Sequence, residues 1–236
     1  MTITEPSTFG LRRVKLLEGL ADEVLERVAR VCSWRRFNPG QAVISRSSFS
    51  RDLCLVVAGR VRITVYTASG RQVTFRDLAE GETVGDIAAV DGGPRSVDVM
   101  ALNEVLVAVI THAEFQTLLR ENPLVSERFT RHLVQLIRRL TETVIELSTL
   151  GVVNRIHSDL LRLAREAGVA STGPCVLLPA PRHADIAARV STTREQVTRE
   201  MSVLAKQGLL TKEPDGMRIS DIRALERMVD RASREA

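Results

Sequence analysis

The sequence has few cysteines, and they do not cluster. Cys32, Cys54 and Cys175 lie far apart, without the C-x-x-C spacing of a thiolate site. Such scattering forms neither a disulfide framework nor a metal cluster. The three thiols are therefore predicted to be core residues or inert.

Long apolar runs are also missing. No stretch of about 18 apolar residues occurs, and the N-terminal MTITEPSTFGLRR has no apolar core of the signal-peptide type. With 236 residues, 44% of them hydrophobic, the chain can still form one large or two modest globular domains. The composition excludes a disordered or membrane protein and predicts a cytoplasmic one.

A strong excess of one charge is absent as well. The net charge is +4, with 19 basic against 18 acidic residues in 1–150 and 14 against 11 in 151–236. These differences are too small to indicate nucleic-acid binding from charge alone. A case for such binding must rest on where particular residues lie.

Residues from about 38 to 110 have the pattern of short strands and tight turns. An amphipathic helix precedes them, with Val24, Leu25, Val28 and Val31 at helical spacing. RVRITVY then alternates apolar and polar residues, and Ser69-Gly70 is typical of a hairpin turn. This region is predicted to be a small antiparallel β unit.

One segment of this unit, GETVGDIAAVDGGPRSVD at 81–98, has the composition of an anion site. Glycines let backbone amides approach a ligand, Arg95 offers a fork of donors suited to phosphate, and Ser96 adds a hydroxyl. Loops also use Gly, Pro and Asp simply to turn. On these letters alone both interpretations stay open.

A long helix is predicted from Pro123 onward. Leu133, Ile137, Leu140, Val144 and Leu147 follow one another at steps of 4, 3, 4 and 3, which is a heptad seam. The seam could pack on its own domain, but its length after a β unit favours pairing with a second copy in a two-fold dimer.

The C-terminal part contains a helix-turn-helix pattern. NRIHSDLLRLAREAG is predicted to be a helix closed by Gly168, and 169–181 a connection with one strand. HADIAARV, the turn STT and REQVTREMSVLAKQGLL then give two helices, the second beginning near Thr193. Leu209–Thr211 and Met217–Ile219 flank Asp215-Gly216 and predict a wing hairpin.

The outward face of the second helix has the chemistry to read DNA bases. Arg can donate to guanine and Glu can accept from cytosine in a major groove, while wing cations are available for phosphates. The alternative is a solvated face with an Arg-Glu pair. The predicted DNA-contacting residues are His183, Thr193, Arg194, Glu195, Thr198, Arg199, Lys212 and Arg218.

With these parts in order, residues from about 16 to 220 resemble the cyclic-AMP receptor protein and fumarate-nitrate regulator family of bacterial transcription factors. The resemblance includes the 81–98 segment, the long helix, TREQVTR, and glycines at Gly40, Gly59, Gly70, Gly81 and Gly85. It implies an α+β fold with an antiparallel β-roll sensor at 1–122, a dimerisation helix at 123–150 and a winged helix-turn-helix at 151–236.

The resemblance also implies a cyclic-nucleotide ligand and assigns roles to residues. Gly85 and the backbone near Ile87 and Ala88 would line the ligand, Arg95 would pair with the cyclic phosphate, and Ser96 would donate to it. Asp86 stands where the family's binders mostly have Glu, which accepts from the ribose 2′-hydroxyl. Thr141 aligns with a hydroxyl residue that meets the base, while Leu140 replaces a second one. Cyclic AMP is favoured and cyclic GMP stays open.

The sequence therefore predicts a homodimeric, cyclic-nucleotide-activated transcription regulator that is not an enzyme and needs no cofactor besides its ligand. By resemblance it would bind a palindromic promoter site with half-sites like TGTGA, and RNA polymerase is a further partner of such regulators. One alternative is a regulator of the same fold that answers another signal or none. A second is a metal-dependent hydrolase built on His112 and Glu114, which lacks a further ligand at suitable spacing.

Overall fold

The computed structural model describes residues 8–168 and 173–235. The connection predicted over 169–181 is therefore described only from residue 173 onward. Residues 1–7 and 169–172 lie outside the described residues. The described chain forms two compact units, one ending at Leu136 and the other beginning at Ile137. Helices and antiparallel sheets occur in both, so the predicted α+β class is confirmed.

The first unit combines short helices with eight strands. Its helices are α1 (Thr8–Leu11), α2 (Asp22–Val31), α3 (Asp86–Asp91), α4 (His112–Glu121) and the first half of α5 (Pro123–Thr149), with a 3-10 turn at Lys15–Leu17. Its strands are β1 (Ser33–Phe37), β2 (Ala42–Ile44), β3 (Leu53–Ala58), β4 (Val61–Tyr66), β5 (Gln72–Leu78), β6 (Thr83–Val84), β7 (Asp98–Ala101) and β8 (Val105–Ile110).

These strands form two four-stranded antiparallel sheets with orders β1-β8-β3-β6 and β2-β7-β4-β5. One apolar cluster takes residues from both sheets, including Val56 and Val107 from the first and Val61 and Val99 from the second. The sheets therefore pack face to face as a β-roll, with α3 in the connection between β6 and β7.

The alternation predicted for β4 is not observed, since Arg62 is buried and Ile63 is only half-buried. Val61 is buried, but Thr64 is fully buried too, whereas Val65 is only half-buried. The bulge in the pairing with β5 lies on β5, where Phe75 is skipped between Arg76 and Thr74, so β4 itself contains no extra residue. The Thr64 hydroxyl is satisfied by donating to the Val73 carbonyl at 2.8 Å.

The long helix α5 begins at the predicted Pro123 and has two different halves. Val125 and Phe129 are buried in a second apolar cluster of the first unit, where Phe129 meets Phe115 edge to face at 5.1 Å. Further along, large apolar side chains are exposed. The exposed members of the predicted seam are Ile137 (62%), Leu140 (41%), Val144 (61%) and Leu147 (40%).

The second unit contains the predicted helix-turn-helix and wing. After the end of α5 it comprises α6 (Val152–Glu166), β9 (Cys175–Leu177), α7 (His183–Arg189), α8 (Arg194–Lys206), β10 (Leu210–Lys212), β11 (Met217–Ile219) and α9 (Ile222–Glu235). The wing strands join the strand predicted in the connection to make a three-stranded sheet of order β10-β11-β9. The sequence analysis did not predict α9, whose Ile222 and Leu225 complete the core.

Two contacts between polar side chains lie inside this second core. The Asp159 side chain, 3% exposed, accepts from Arg189 Nε and Nη2 at 2.7–3.0 Å and also from Arg162. His157 on α6 meets Glu200 on α8, with 2.7 Å between Nε2 and Oε1. Because buried charges without partners are strongly destabilising, these contacts fix the packing of α6 against α7 and α8.

Replacing Asp159 with Ala should therefore destabilise the second unit by about 3–5 kcal/mol, because Arg189 would be left buried without a partner. Urea unfolding followed by circular dichroism measures the effect. Asp230→Ala, which removes an exposed carboxylate of α9, is the control and should shift the curve by less than about 0.5 kcal/mol. Identical curves for the two variants would contradict the assigned role.

Candidate functional site

The segment between β6 and β7 folds around Gly85. This residue has φ 87°, and a Cβ there would lie 2.5 Å from Arg95 Nη1 and 3.0 Å from the Asp52 carbonyl. Only glycine fits this left-handed backbone and close approach. Gly85 also begins α3 without a side-chain cap, so the first amides of that helix have no acceptor within it.

Arg95 lies beside this helix start and is only 5% exposed. Nη1 donates to the Gly85 carbonyl at 3.1 Å, and Nη2 donates to the Asp52 carbonyl at 2.7 Å and to Ser50 Oγ at 3.1 Å. Its Nε is buried and has no hydrogen-bond partner among the residues that the structure describes. All three acceptors are neutral, so the guanidinium is a buried cation without a hydrogen-bonded carboxylate. Such a group is suited to an anion.

A cavity of about 150 Å³ opens next to this arginine. Two arginines, three serines and one aspartate are among its lining residues, so donors of hydrogen bonds predominate over the single carboxylate. Its lining comprises Arg35, Phe37, Val43, Ile44, Ser45, Ser48, Ser50, Asp52, Cys54, Arg95 and Val109. The sequence analysis missed the loop that supplies Ser45 to Asp52. Its dense serines and arginines, ISRSSFSRD, were the available signal.

Asp86, the first residue of α3, is 8% exposed. Its Oδ1 accepts from Thr83 Oγ1 at 2.6 Å, and its Oδ2 lies 3.1 Å from Nε2 of His132 on α5. The carboxylate therefore has one donor on each oxygen. His132 was not among the predicted site residues, because nothing in the sequence pairs it with a residue 46 positions away.

The other predicted ligand residues are placed as follows. Ala88 is buried, and Ile87 is 45% exposed. Ser96 is exposed, and its hydroxyl has no hydrogen-bond partner among the residues in 8–168 and 173–235. Thr141 is an exposed residue of α5 that belongs to the second unit, and its hydroxyl donates to the Ile137 carbonyl at 3.0 Å. The structure thus brings Gly85, Asp86 and Arg95 together, while contacts of Ser96 and Thr141 with a ligand stay predictions.

The cysteines are buried thiols, as predicted. Burial raises the pKa of Cys32 and of Cys54 to about 12, and it also raises the pKa of Cys175. They are consequently protonated at neutral pH and are poor metal ligands. No group of three His, Cys, Asp or Glu residues within the described part of the chain could hold a metal ion. His112 of the hydrolase hypothesis instead contacts the Ala89 carbonyl through Nδ1 at 2.9 Å.

In the second unit, α7 and α8 form the predicted helix pair. Thr193 caps α8 by accepting from the Gln196 amide at 3.3 Å. Val197 and Leu204 face the core, whereas the predicted base-reading residues are on the outer face. Those exposed residues are Arg194, Glu195, Thr198 and Arg199.

Hydrogen bonds order part of this outer face. The Thr198 hydroxyl donates to the Arg194 carbonyl at 2.9 Å and lies 2.8 Å from Nδ1 of His183. Since that hydroxyl has a single proton, His183 must be the donor in the second contact. The pKa of Glu195 is lowered by its own backbone N–H and by the Thr193 hydroxyl, so this carboxylate is ionised at neutral pH and can act as an acceptor.

The wing differs from its prediction in one respect. Lys212 is exposed on β10, as expected. Arg218, predicted to be free for phosphates, instead donates from Nε to Glu213 Oε1 at 2.8 Å. The pairing follows from the hairpin, which places residues of the turn beside β11. Arg218 is exposed and Glu213 is half-buried, so solvent screens the pair, and a phosphate could replace the carboxylate at small cost.

A β-roll whose 81–98 segment surrounds a buried arginine, a long helix and a winged helix-turn-helix are the parts of a ligand-sensing transcription regulator. A family model for the cyclic nucleotide-binding domain matches residues 34–122, and one for the Crp-like helix-turn-helix domain matches 154–228. Together they account for well over half of the chain. The protein belongs to the cyclic-AMP receptor protein and fumarate-nitrate regulator family, and it is a cyclic-nucleotide-binding transcription regulator of that kind.

Two curated relatives are similar over most of their length. The cyclic AMP receptor protein of Thermus thermophilus is 28% identical over 214 residues, covering 89% of this chain and 94% of that protein. The cAMP-activated global transcriptional regulator CRP of Salmonella typhimurium is 26% identical over 191 residues, covering 80% and 90%. These relatives and both domains are transcription regulators and not enzymes, in agreement with the sequence analysis.

Solved structures share the fold. The c-di-GMP responsive global regulator CLP of Xanthomonas campestris superposes with a TM-score of 0.73 at 21% identity, covering 85% of this chain and 99% of that one. FixK2 from Bradyrhizobium japonicum gives a TM-score of 0.70 at 20% identity, covering 84% and 96%. Among the described residues, no helix combines the length and the apolar character that crossing a membrane requires.

Proposed function

We propose that the protein is a homodimeric transcription regulator, activated by cyclic AMP or, as the less favoured ligand, cyclic GMP, that binds a palindromic promoter site in the cytoplasm. Residues 1–122 would be the sensor, 123–150 the dimerisation helix and 151–236 the DNA-binding domain. The observation that carries the proposal is the buried Arg95 guanidinium, which has no hydrogen-bonded carboxylate and lies beside the uncapped start of α3.

Each of the three parts of the ligand, which are the cyclic phosphate, the ribose and the base, has a proposed partner. The cyclic phosphate would pair with Arg95 and accept from Ser96 and from the amides of Ile87 and Ala88, which are free at the helix start. The ribose 2′-hydroxyl would donate to Asp86, whose carboxylate retains lone pairs. A hydroxyl can both donate and accept, so Thr141 could serve adenine or guanine.

Dimerisation is supported by the second half of α5. Four seam residues spaced by three and four positions are each at least 40% exposed, which would be costly for a helix that stays unpartnered. A second copy of the same helix would cover this seam. A two-fold dimer would then present two recognition helices, and such symmetry matches a palindromic DNA site.

Replacing Arg95 with Leu should weaken cyclic-nucleotide binding by one to three powers of ten, because a charge-assisted pair in a buried site contributes roughly 2–5 kcal/mol. Titration calorimetry with cyclic AMP and with cyclic GMP measures the loss. Arg71→Leu, at an exposed turn between β4 and β5, is the matched control and should bind as the wild type does. Wild-type affinity in Arg95→Leu would contradict the assignment.

Two acidic substitutions in the seam should convert the dimer to a monomer. Ile137→Glu with Val144→Glu would bring like charges together across the two-fold axis and remove apolar burial. Sedimentation equilibrium measures the mass. Gln135→Glu with Arg139→Glu introduces two acids on exposed positions of the same helix outside the seam, and this control should remain dimeric. A monomeric wild type, or a dimer that tolerates the seam variant, would refute the assigned interface.

Ligand should raise affinity for a palindrome of TGTGA-like half-sites by about 5- to 150-fold, the ordinary range of allosteric coupling. The reason is geometric, since both recognition helices must be about 34 Å apart to enter successive major grooves. A scrambled duplex should gain much less, because phosphate contacts from Lys212 need no fixed separation.

Fluorescence anisotropy at one stated salt concentration, on both duplexes with and without nucleotide, measures this coupling. As the control, Arg194→Ala with Arg199→Ala should remove the preference for the palindrome while leaving nucleotide affinity within about twofold. Equal affinity for the palindrome with and without saturating nucleotide would rule out ligand control.

A further inference from the structure

The Asp86 carboxylate connects the short helix α3 to the long helix α5. One of its oxygens accepts from Thr83 Oγ1 at 2.6 Å, and the other lies 3.1 Å from His132 Nε2. Because Asp86 is 8% exposed, its charge must be stabilised by such neighbours. His132 is the group that α5 supplies for this purpose.

The His132 ring is held in place by the core and not by Asp86 alone. It packs on Phe129, with 6.1 Å between ring centroids and a 34° tilt between planes. Phe129 is 4% exposed and is itself fixed by the edge of Phe115. The ring therefore has little freedom to turn, and its Nε2 stays directed at the carboxylate.

This arrangement fixes the orientation of the Asp86 carboxylate and still leaves some of its acceptor positions unused. A carboxylate has about four lone-pair positions, and Thr83 and His132 use one on each oxygen. With one donor on each side, rotation of the group about its terminal torsion would break a hydrogen bond. The remaining lone pairs can accept from a ribose hydroxyl while both existing donors stay bound.

We propose that His132 is a positioning residue for the cyclic nucleotide: it orients the Asp86 carboxylate toward the ribose and links the occupied site to α5. This inference rests on the proposed function, in which Asp86 accepts from the 2′-hydroxyl. His132 lies close in sequence to the first exposed residue of the predicted seam. Ile137, 62% exposed, follows His132 by five residues on the same helix, which is about 7.5 Å along the helix axis.

Two substitutions separate hydrogen bonding from packing. His132→Phe keeps a ring against Phe129 but has no donor, so affinity for cyclic AMP or cyclic GMP should fall about 10- to 100-fold, as expected for losing a hydrogen bond to a charged group. His132→Gln retains an N–H donor and should bind within about threefold of wild type. Titration calorimetry with both nucleotides, at one pH and salt concentration, measures each affinity.

His112→Leu is the matched control. His112 also contacts α3, through the Ala89 carbonyl at 2.9 Å, but it does not touch Asp86. Its loss would loosen the same short helix without changing the donors of the carboxylate, so affinity should stay within about threefold of wild type. Melting temperatures of all variants establish that each is folded at the assay temperature. If His132→Phe is not folded there, His132→Leu replaces it.

A double-mutant cycle tests whether the two residues act as one unit. If His132 works through Asp86, Asp86→Asn with His132→Phe should bind no more weakly than Asp86→Asn alone. Full additivity, wild-type affinity in folded His132→Phe, or an equal loss in His132→Gln would each overturn the inference while leaving the proposed ligand intact. A wild-type protein that binds neither nucleotide would instead overturn the proposed function and this inference with it.

Discussion

The first unit is organised around one buried cation, the Arg95 side chain. The guanidinium of Arg95 joins the start of α3 to the loop before β3, because it donates to the carbonyls of Gly85 and Asp52 at once. Those acceptors carry no net charge, so the positive charge is only partly compensated. The demand for a residue without a Cβ at Gly85 follows from this placement, because a Cβ there would lie 2.5 Å from Arg95 Nη1.

The two halves of the long helix α5 have different surroundings. In its first half Phe129 is buried in the core of the first unit, whereas its second half exposes apolar residues such as Val144. Between the two lies His132, the residue that reaches the carboxylate of the ligand segment. His132 and the exposed seam thus belong to one helix of 27 residues.

Sequence patterns predicted the elements well, because those patterns reflect local backbone preferences. The seam of α5, the Ser69-Gly70 hairpin and the Thr193 cap each depend on residues close together in the chain. Contacts between distant residues were not predictable. In β4, Arg62 and Thr64 are buried because each has a hydrogen-bond partner on β5, and Glu213 pairs with Arg218, which was expected to be free. Pairs such as Asp86 with His132 depend on how separate elements pack, which no spacing reveals.

The inward face of α8 has a consequence for the evolution of the protein. Glu200 and Val197 hold this helix through buried contacts, including the hydrogen bond that Glu200 accepts from His157. Arg194 and Arg199 are exposed on the outer face. Changes at exposed positions cost little stability. Duplicated copies of such a gene could therefore diverge in the outer residues of the helix, acquiring new target promoters, while the interior that holds the helix is inherited unchanged.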